Sequence, residues 1–356
     1  MLDVESIIYE KFGFLSRSRL EEILGRFDEV TMAVVGDGSL DVYWEADMTR
    51  SQLSRETPHF PLPIVKERLS LGAGANVVAN LAALGLKRVG FLTVIGQDWR
   101  GQELKRLLAQ QGIDGSFVLE VEGRVTPAYC KPIRHGYGDI WYEDPRLDFE
   151  STASLDSATE KMVAEGLRGI AETYQGLIVA DQLKNGIITD DIRGELSRLG
   201  REHAIAVDSR ERIHLFRNVI IKPNHVEVLQ AVGSDLKPEE ADKDDLISAG
   251  IKLSQISSGP VLITAGELGA LWVEGEHRVL EVATKPAAPP IDPVGAGDSF
   301  IAAFMASRLA GARTEEAMFI ANLAARVVVK KLKITGTASQ GELLEEYLQV
   351  SREFAS

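Results

Sequence analysis

The chain has 356 residues, with 39 Lys and Arg against 53 Asp and Glu for a formal charge of −14; 45% of it is hydrophobic and 26% charged. Such acidity excludes broad binding to nucleic acid or an anionic membrane surface, both of which need a basic face, and no apolar run reaches the ~18 residues of a spanning helix. The lone Cys130 excludes an internal disulfide and fits a reducing compartment, and six scattered histidines lack zinc-ligand spacing.

The N-terminus, MLDVESIIYEKF, has neither the basic start nor the apolar stretch of a signal peptide, so a cytoplasmic location is expected. Ile7, Ile8, Phe12 and Leu15 recur at helical spacing, and Ser18 is placed to cap a second helix carrying Leu20, Ile23 and Leu24. Residues 1–28 are therefore expected to be a helical extension, packed on the main body or on a partner subunit, ahead of a single domain over 29–356. That domain opens at 30–36 (VTMAVVG), a continuous apolar run typical of a buried parallel strand. Residues 40–71 alternate strand and turn, broken by Pro58, Pro61 and Pro63. An Ala-rich helix follows at 74–84, then a strand at 89–95 and a helix at 102–110.

The short pieces at 117–122, 128–134 and 139–142 are separated by Gly and Pro and suggest hairpins. Regular alternation then resumes. Helices are expected near 156–172, 190–199, 225–231, 244–257, 298–310, 315–331 and 340–349, and strands at 177–180, 204–208, 219–222, 261–264, 270–273 and 278–282. Such alternation implies a mostly parallel sheet covered on both faces, a three-layer α/β/α fold. The two β-rich interruptions, about 40–70 and 117–144, are expected to form a small lid.

Three stretches carry chemistry. Gly295-Ala296-Gly297 runs into an apolar helix expected to begin near Asp298. A helix start offers unpaired amides and the positive end of its dipole to an anion, and glycines let a phosphate oxygen approach the backbone. Asp298 beside it is placed to take a proton from a hydroxyl, although capping alone accounts for an Asp there. In Gly72-Ala73-Gly74-Ala75-Asn76, the glycines admit a ligand close to the backbone while Asn76 offers both donor and acceptor. Asn224 and Glu227, at the C-terminal end of a strand, fit a capping box or a hydrated Mg²⁺ near phosphates.

Together these stretches resemble the ribokinase-like (PfkB) family of sugar kinases over about residues 30–350. Residues 292–300 (DPVGAGDSF) are similar to the family's C-terminal signature and 72–82 to its N-terminal one. Gly96-Gln97-Asp98 with Gly101, residues 222–227 and residues 264–269 occur in family order between them. Within the family the chain resembles the branch that phosphorylates heptose 7-phosphate. Gly36-Asp37, Leu40-Asp41 with Tyr43-Trp44, residues 146–150 (RLDFE), and Asp181 with Lys184 and Gly186 carry that likeness. Ala73 stands in place of a glycine and Pro293 in place of a threonine, and residues 131–144 differ from the heptose enzymes.

The resemblance implies an ATP-dependent carbohydrate kinase. Asp298 would be the base, and Gly295, Ala296 and Gly297 the anion hole. Asp37, Asp41, Gly72, Gly74, Asn76 and Asp148 would meet the sugar, with Arg146 and Lys184 toward a phosphate already on it. Asn224, Thr264, Gly266, Gly269 and Asn322 would hold the nucleotide. Glu227 would stand behind Mg²⁺ through water, and Asp292 is a candidate for a monovalent cation such as K⁺. Sheet-like lids in this family pair between subunits, so a homodimer is expected. Ribose, fructose-type sugars and nucleosides remain alternative acceptors, and a sugar or nucleotide sensor on the same fold is the alternative of another class.

Overall fold

The computed structural model describes residues 8–276 and 278–355; Ile7 of the expected N-terminal stripe and His277 lie outside them. The core strand β2 (Thr31–Gly36) shows why the sheet is central. Its Met32 and Val34 belong to one apolar cluster and its Ala33 and Val35 to another. Both faces are buried, so the strand reads as a continuous apolar run rather than an alternation.

The main sheet has ten strands. Besides β2 it holds β1 (Ile8–Phe12), β5 (Arg88–Gly96), β6 (Val118–Val121), β10 (Gly176–Asp181), β11 (Ala204–Ser209), β12 (Ile220–Ile221), β13 (Val261–Thr264), β14 (Ala270–Glu274) and β15 (Arg278–Val282). Their order is β1-β15-β14-β13-β12-β11-β10-β2-β5-β6, and only the pairs β13–β14 and β14–β15 are antiparallel. One face carries α1 (Arg17–Leu24), α2 (Gly74–Ala83), α3 (Trp99–Gln110), α8 (Ala296–Leu309), α9 (Thr314–Val329) and α10 (Gln340–Ala355). The other carries α4 (Ser157–Thr173), α5 (Asp190–Leu199), α6 (His225–Ala231) and α7 (Lys243–Ser257). This is the expected three-layer α/β/α fold. Among the described residues no helix is long and apolar enough to cross a membrane.

The second sheet is the lid, with strands β3 (Gly38–Asp47), β4 (Ile64–Ala73), β7 (Ala128–His135), β8 (Tyr142–Glu143) and β9 (Leu147–Phe149). Its bounds differ from the expected ones. Residues 118–121 pair with β5 in the main sheet, whereas 147–149 join the lid through β7.

The N-terminal segment is also corrected. Ile8–Phe12 is a strand, paired in parallel with β15, and Ser16 rather than Ser18 caps α1 by accepting a bond from the Arg19 amide. A spacing of four residues, as between Ile8 and Phe12, puts two side chains on one side of a strand as well as of a helix. The exposed edge of β15 decides between the two.

Candidate active site

Gly295 caps α8 with φ +81°, a left-handed conformation that glycine adopts without strain. The helix starts at Ala296, two residues before the expected start near Asp298, so Asp298 is its third residue and not its cap. Its carboxylate accepts a 2.6 Å bond from Nδ2 of Asn76, which is fully buried on α2. Asn80, one turn on, donates to the Asn76 backbone carbonyl at 2.9 Å, with the Asn76 side-chain oxygen 3.5 Å away. Removal from water pushes Asp298 up to about 7; Asn76 and the Lys222 ammonium oppose the shift, while Asp208 and Asp41 add to it. The Ala296 amide is spent on the Pro293 carbonyl at 3.2 Å. The amides of Gly297 and Asp298 have no acceptor among the described residues. Of the three glycine-turn amides expected to form an anion hole, that of Ala296 is therefore not free, because the cap turn consumes it.

Beside Asp298 opens a cleft of about 960 Å³ under the lid. Asp41, Arg146, Asp148 and Asp292 line it. Asp41 accepts from the Thr335 hydroxyl and lies 3.8 Å from the Lys131 ammonium. Gly72 leaves room beneath it, since a Cβ there would come within 2.7 Å of the Ser39 hydroxyl and 2.9 Å of the Asp41 carboxylate and would displace them. Ala73, the next residue, holds φ 50° and ψ −132°, a strained conformation for a residue with a side chain. Arg146 and Asp148 form a two-bond pair at 2.6 and 2.7 Å.

Other expected sugar contacts do not reach this cleft. The carboxylate of Asp37 is buried and consumed by the amides of Gln182, Leu183 and Ile187, so it holds the 182–187 loop instead of a sugar. Burial raises it to about 6, with those three amides pulling the other way. Gly74 donates to the Asp37 carbonyl at 2.7 Å, a packing contact. Lys184 is exposed and lines neither this cleft nor the next.

A second cleft of about 490 Å³ lies across α8. Asn224, Glu227, Thr264, Gly266, Gly269 and Asn322 all line it. Asn224 and Glu227 form a complete capping box on α6, with the Glu227 carboxylate accepting from the Asn224 amide at 2.8 Å. Desolvation raises Glu227, opposed by that amide and by Lys222. Lys222 is fully buried and paired with Asp208 at 3.0 Å. The Asn322 amide donates to the Val282 carbonyl at 3.2 Å, which ties the cleft wall to β15. Asp292 accepts from the amides of Val294 and Lys333, and lines the first cleft.

The profile of the pfkB family carbohydrate kinases matches residues 42–160 and 217–339. The chain belongs to that family. The bifunctional protein HldE of Ectopseudomonas mendocina is 30% identical over 322 residues, and that of Hydrogenovibrio crunogenus 31% over 335. The alignments cover 89% and 91% of this chain but 63% and 64% of those proteins, so the chain spans a little under two thirds of their length. Phosphofructokinase-2 from Escherichia coli superposes with a TM-score of 0.69 at 21% identity, covering 91% of this chain and all of that one. Arabidopsis thaliana ribokinase superposes at 0.65 and 17%, covering 89% and 98%.

For a pfkB carbohydrate kinase, a phosphotransferase, two joined clefts are the arrangement the chemistry needs. They share Gln182, Arg210 and Gly297 as lining residues. Gln182, Arg210, Lys131, Lys333 and Thr335, none of them expected from sequence, line the first cleft, as does Tyr43 of the first-strand motif. Arg210 had a readable signal, following β11 at the C-terminal end of a parallel strand, where such sheets bind ligands. Lys333 and Thr335 had none, because the loop after α9 reaches the lid only in three dimensions.

Proposed function

We propose that the chain transfers the γ-phosphoryl of ATP to a hydroxyl of an already phosphorylated sugar, of which heptose 7-phosphate is the preferred acceptor. The observation that carries this reading is Asp298, desolvated to a pKa of about 7 beside two open amides at the junction of the clefts. ATP binds in the smaller cleft, between Gly266–Leu268 and α9. The sugar binds under the lid, with Asp41 accepting from its hydroxyls.

Asp298 takes the proton of the attacking hydroxyl as its oxygen bonds to the γ-phosphorus and ADP departs. The amides of Gly297 and Asp298 hold the charge that builds on the transferred group; one such donor is worth ~10²–10³ in rate. Asn76 keeps the carboxylate aimed. Glu227 and Asp208 face the nucleotide cleft across the single Lys222 ammonium, a donor set that suits a hydrated divalent cation among phosphates. Glu227 and Asp208 would hold magnesium there through water, and it would supply positive charge against the nucleotide phosphates. Among the described residues no group of three or more His, Cys, Asp or Glu could hold a metal by itself, which fits a cation held mainly by the nucleotide. Asp292 fits a K⁺ site less well, since both its oxygens already accept backbone amides.

Two features support a phosphorylated acceptor. The sugar cleft carries Lys131, Arg146 and Lys333 besides Arg210. The likeness to the heptose 7-phosphate branch and to the HldE proteins points the same way. A cytoplasmic homodimer completes the reading. The test is coupled ADP release over a panel of heptose 7-phosphate, fructose 6-phosphate, ribose, fructose and nucleosides. Turnover should be fastest, by at least tenfold in kcat/KM, with a sugar phosphate; preference for an unphosphorylated sugar overturns the acceptor assignment. Binding without turnover across the panel would instead mark a sensor.

A further inference from the structure

We infer that Arg210 is a further catalytic residue, which grips the transferred phosphoryl group where the two clefts join. The inference rests on the kinase reading above and adds to it a residue outside the family signatures. Three residues line both clefts, and of these Gly297 offers an amide, Gln182 a neutral side chain and Arg210 a full positive charge.

The cations around it are engaged. Lys131 lies against Asp41, Arg146 is bound twice to Asp148, Lys222 to Asp208, and Arg326 to Glu346. The Lys333 and Lys285 ammonium groups lie over the rings of Trp141 and Phe354. The guanidinium of Arg210 alone joins both clefts, is exposed, and has no hydrogen-bond or ion-pair partner among the described residues. Its neighbour two residues on shows the contrast. Arg212 is locked to buried Asp181 and the Leu183 carbonyl, and so braces the loop that Arg210 leaves free.

The charge of Arg210 is felt by Tyr129 in the sugar cleft and by Glu227 in the nucleotide cleft, which puts it between acceptor and donor. An unpaired, planar, five-donor cation in that position matches a phosphoryl group with three equatorial oxygens. As the Pγ–O bond to ADP breaks and the bond to the sugar oxygen forms, with the proton passing to Asp298, negative charge shifts onto the bridging oxygen and the flying phosphoryl. Arg210 stabilises both without taking or giving a proton.

Titration calorimetry with Mg·ADP and with the non-hydrolysable Mg·AMP-PCP separates this contact from general nucleotide binding. Arg210→Ala should leave the ADP Kd within twofold and raise the AMP-PCP Kd at least tenfold, with Arg210→Lys intermediate. ADP binding itself certifies that the variant is folded. With a turned-over sugar, kcat should fall ~10²–10³-fold with the acceptor KM nearly unchanged. An AMP-PCP to ADP affinity ratio equal to wild type overturns the inference. If wild type turned over no acceptor while that ratio still collapsed in Arg210→Ala, the acceptor reading would fall and the arginine contact would stand.

Discussion

At the scale of single residues, the decisive quantity is the free energy stored in Asp298. A carboxylate at about 7 is half protonated at neutral pH, so kcat/KM should rise ~tenfold per unit below pH 7 and level off above it. A profile flat between pH 5 and 8 would remove Asp298 as the base. The same shift has a consequence for stability. Between the ordinary carboxylate range and pH 7 the native state holds a proton that the unfolded chain has released, so this group's contribution is present at low pH and is lost as pH rises to about 7. Asp298→Asn keeps an acceptor for Asn76 and removes the charge. That variant should lose nearly all turnover yet melt above wild type, by a margin larger at pH 8 than at pH 5, in a thermal melt followed by circular dichroism. Equal margins at both pH values would mean that the carboxylate is not penalised by burial.

Elements were legible where their signals are local. The bounds of α5 and α6 are those expected, because Thr189 and Asn224 cap them with their own side chains. The strands of the main sheet were legible for a related reason, since burial on both faces writes a plain apolar run. Pairing was not legible. The sequence of β6 looks like a lid hairpin, and only its parallel register with β5 places it in the main sheet. The N-terminal segment failed for the same cause, and its true role is structural. Phe14 meets Phe319, Tyr347 and Phe354 at ring distances of 5.0 to 5.4 Å, and Leu20, Ile23 and Phe27 are fully buried. These contacts join β1 and α1 to α9 and α10, and α9 carries Asn322 of the nucleotide cleft. Phe27→Ala should therefore cost about 3–5 kcal/mol in urea unfolding. Loss below 1 kcal/mol would show that the extension is an appendage.

On the scale of the whole molecule, the signatures announced both halves of the site, since each is a glycine-marked turn at a helix start. How the lid closes over them was not announced, because Lys131 reaches Asp41 only through the pairing of β7 with β3, and Thr335 reaches it only through the loop after α9. The lid also raises the question of what covers its outer edge. β4 ends the lid sheet, and its first four residues are exposed, Ile64 and Val65 among them. Phe60 and Leu62 just before it are exposed as well. An uncovered apolar edge strand invites pairing with another chain. A second copy offers the same edge, and an isologous contact closes as a dimer. Sedimentation velocity at micromolar concentration should then give a species of twice 38.9 kDa. The double substitution Ile64→Asp, Val65→Asp should return it to the monomer mass and raise the acceptor KM several-fold, because the lid over the sugar cleft loses its support. A wild-type protein that sediments as a monomer at tens of micromolar would show that the edge is guarded within one chain.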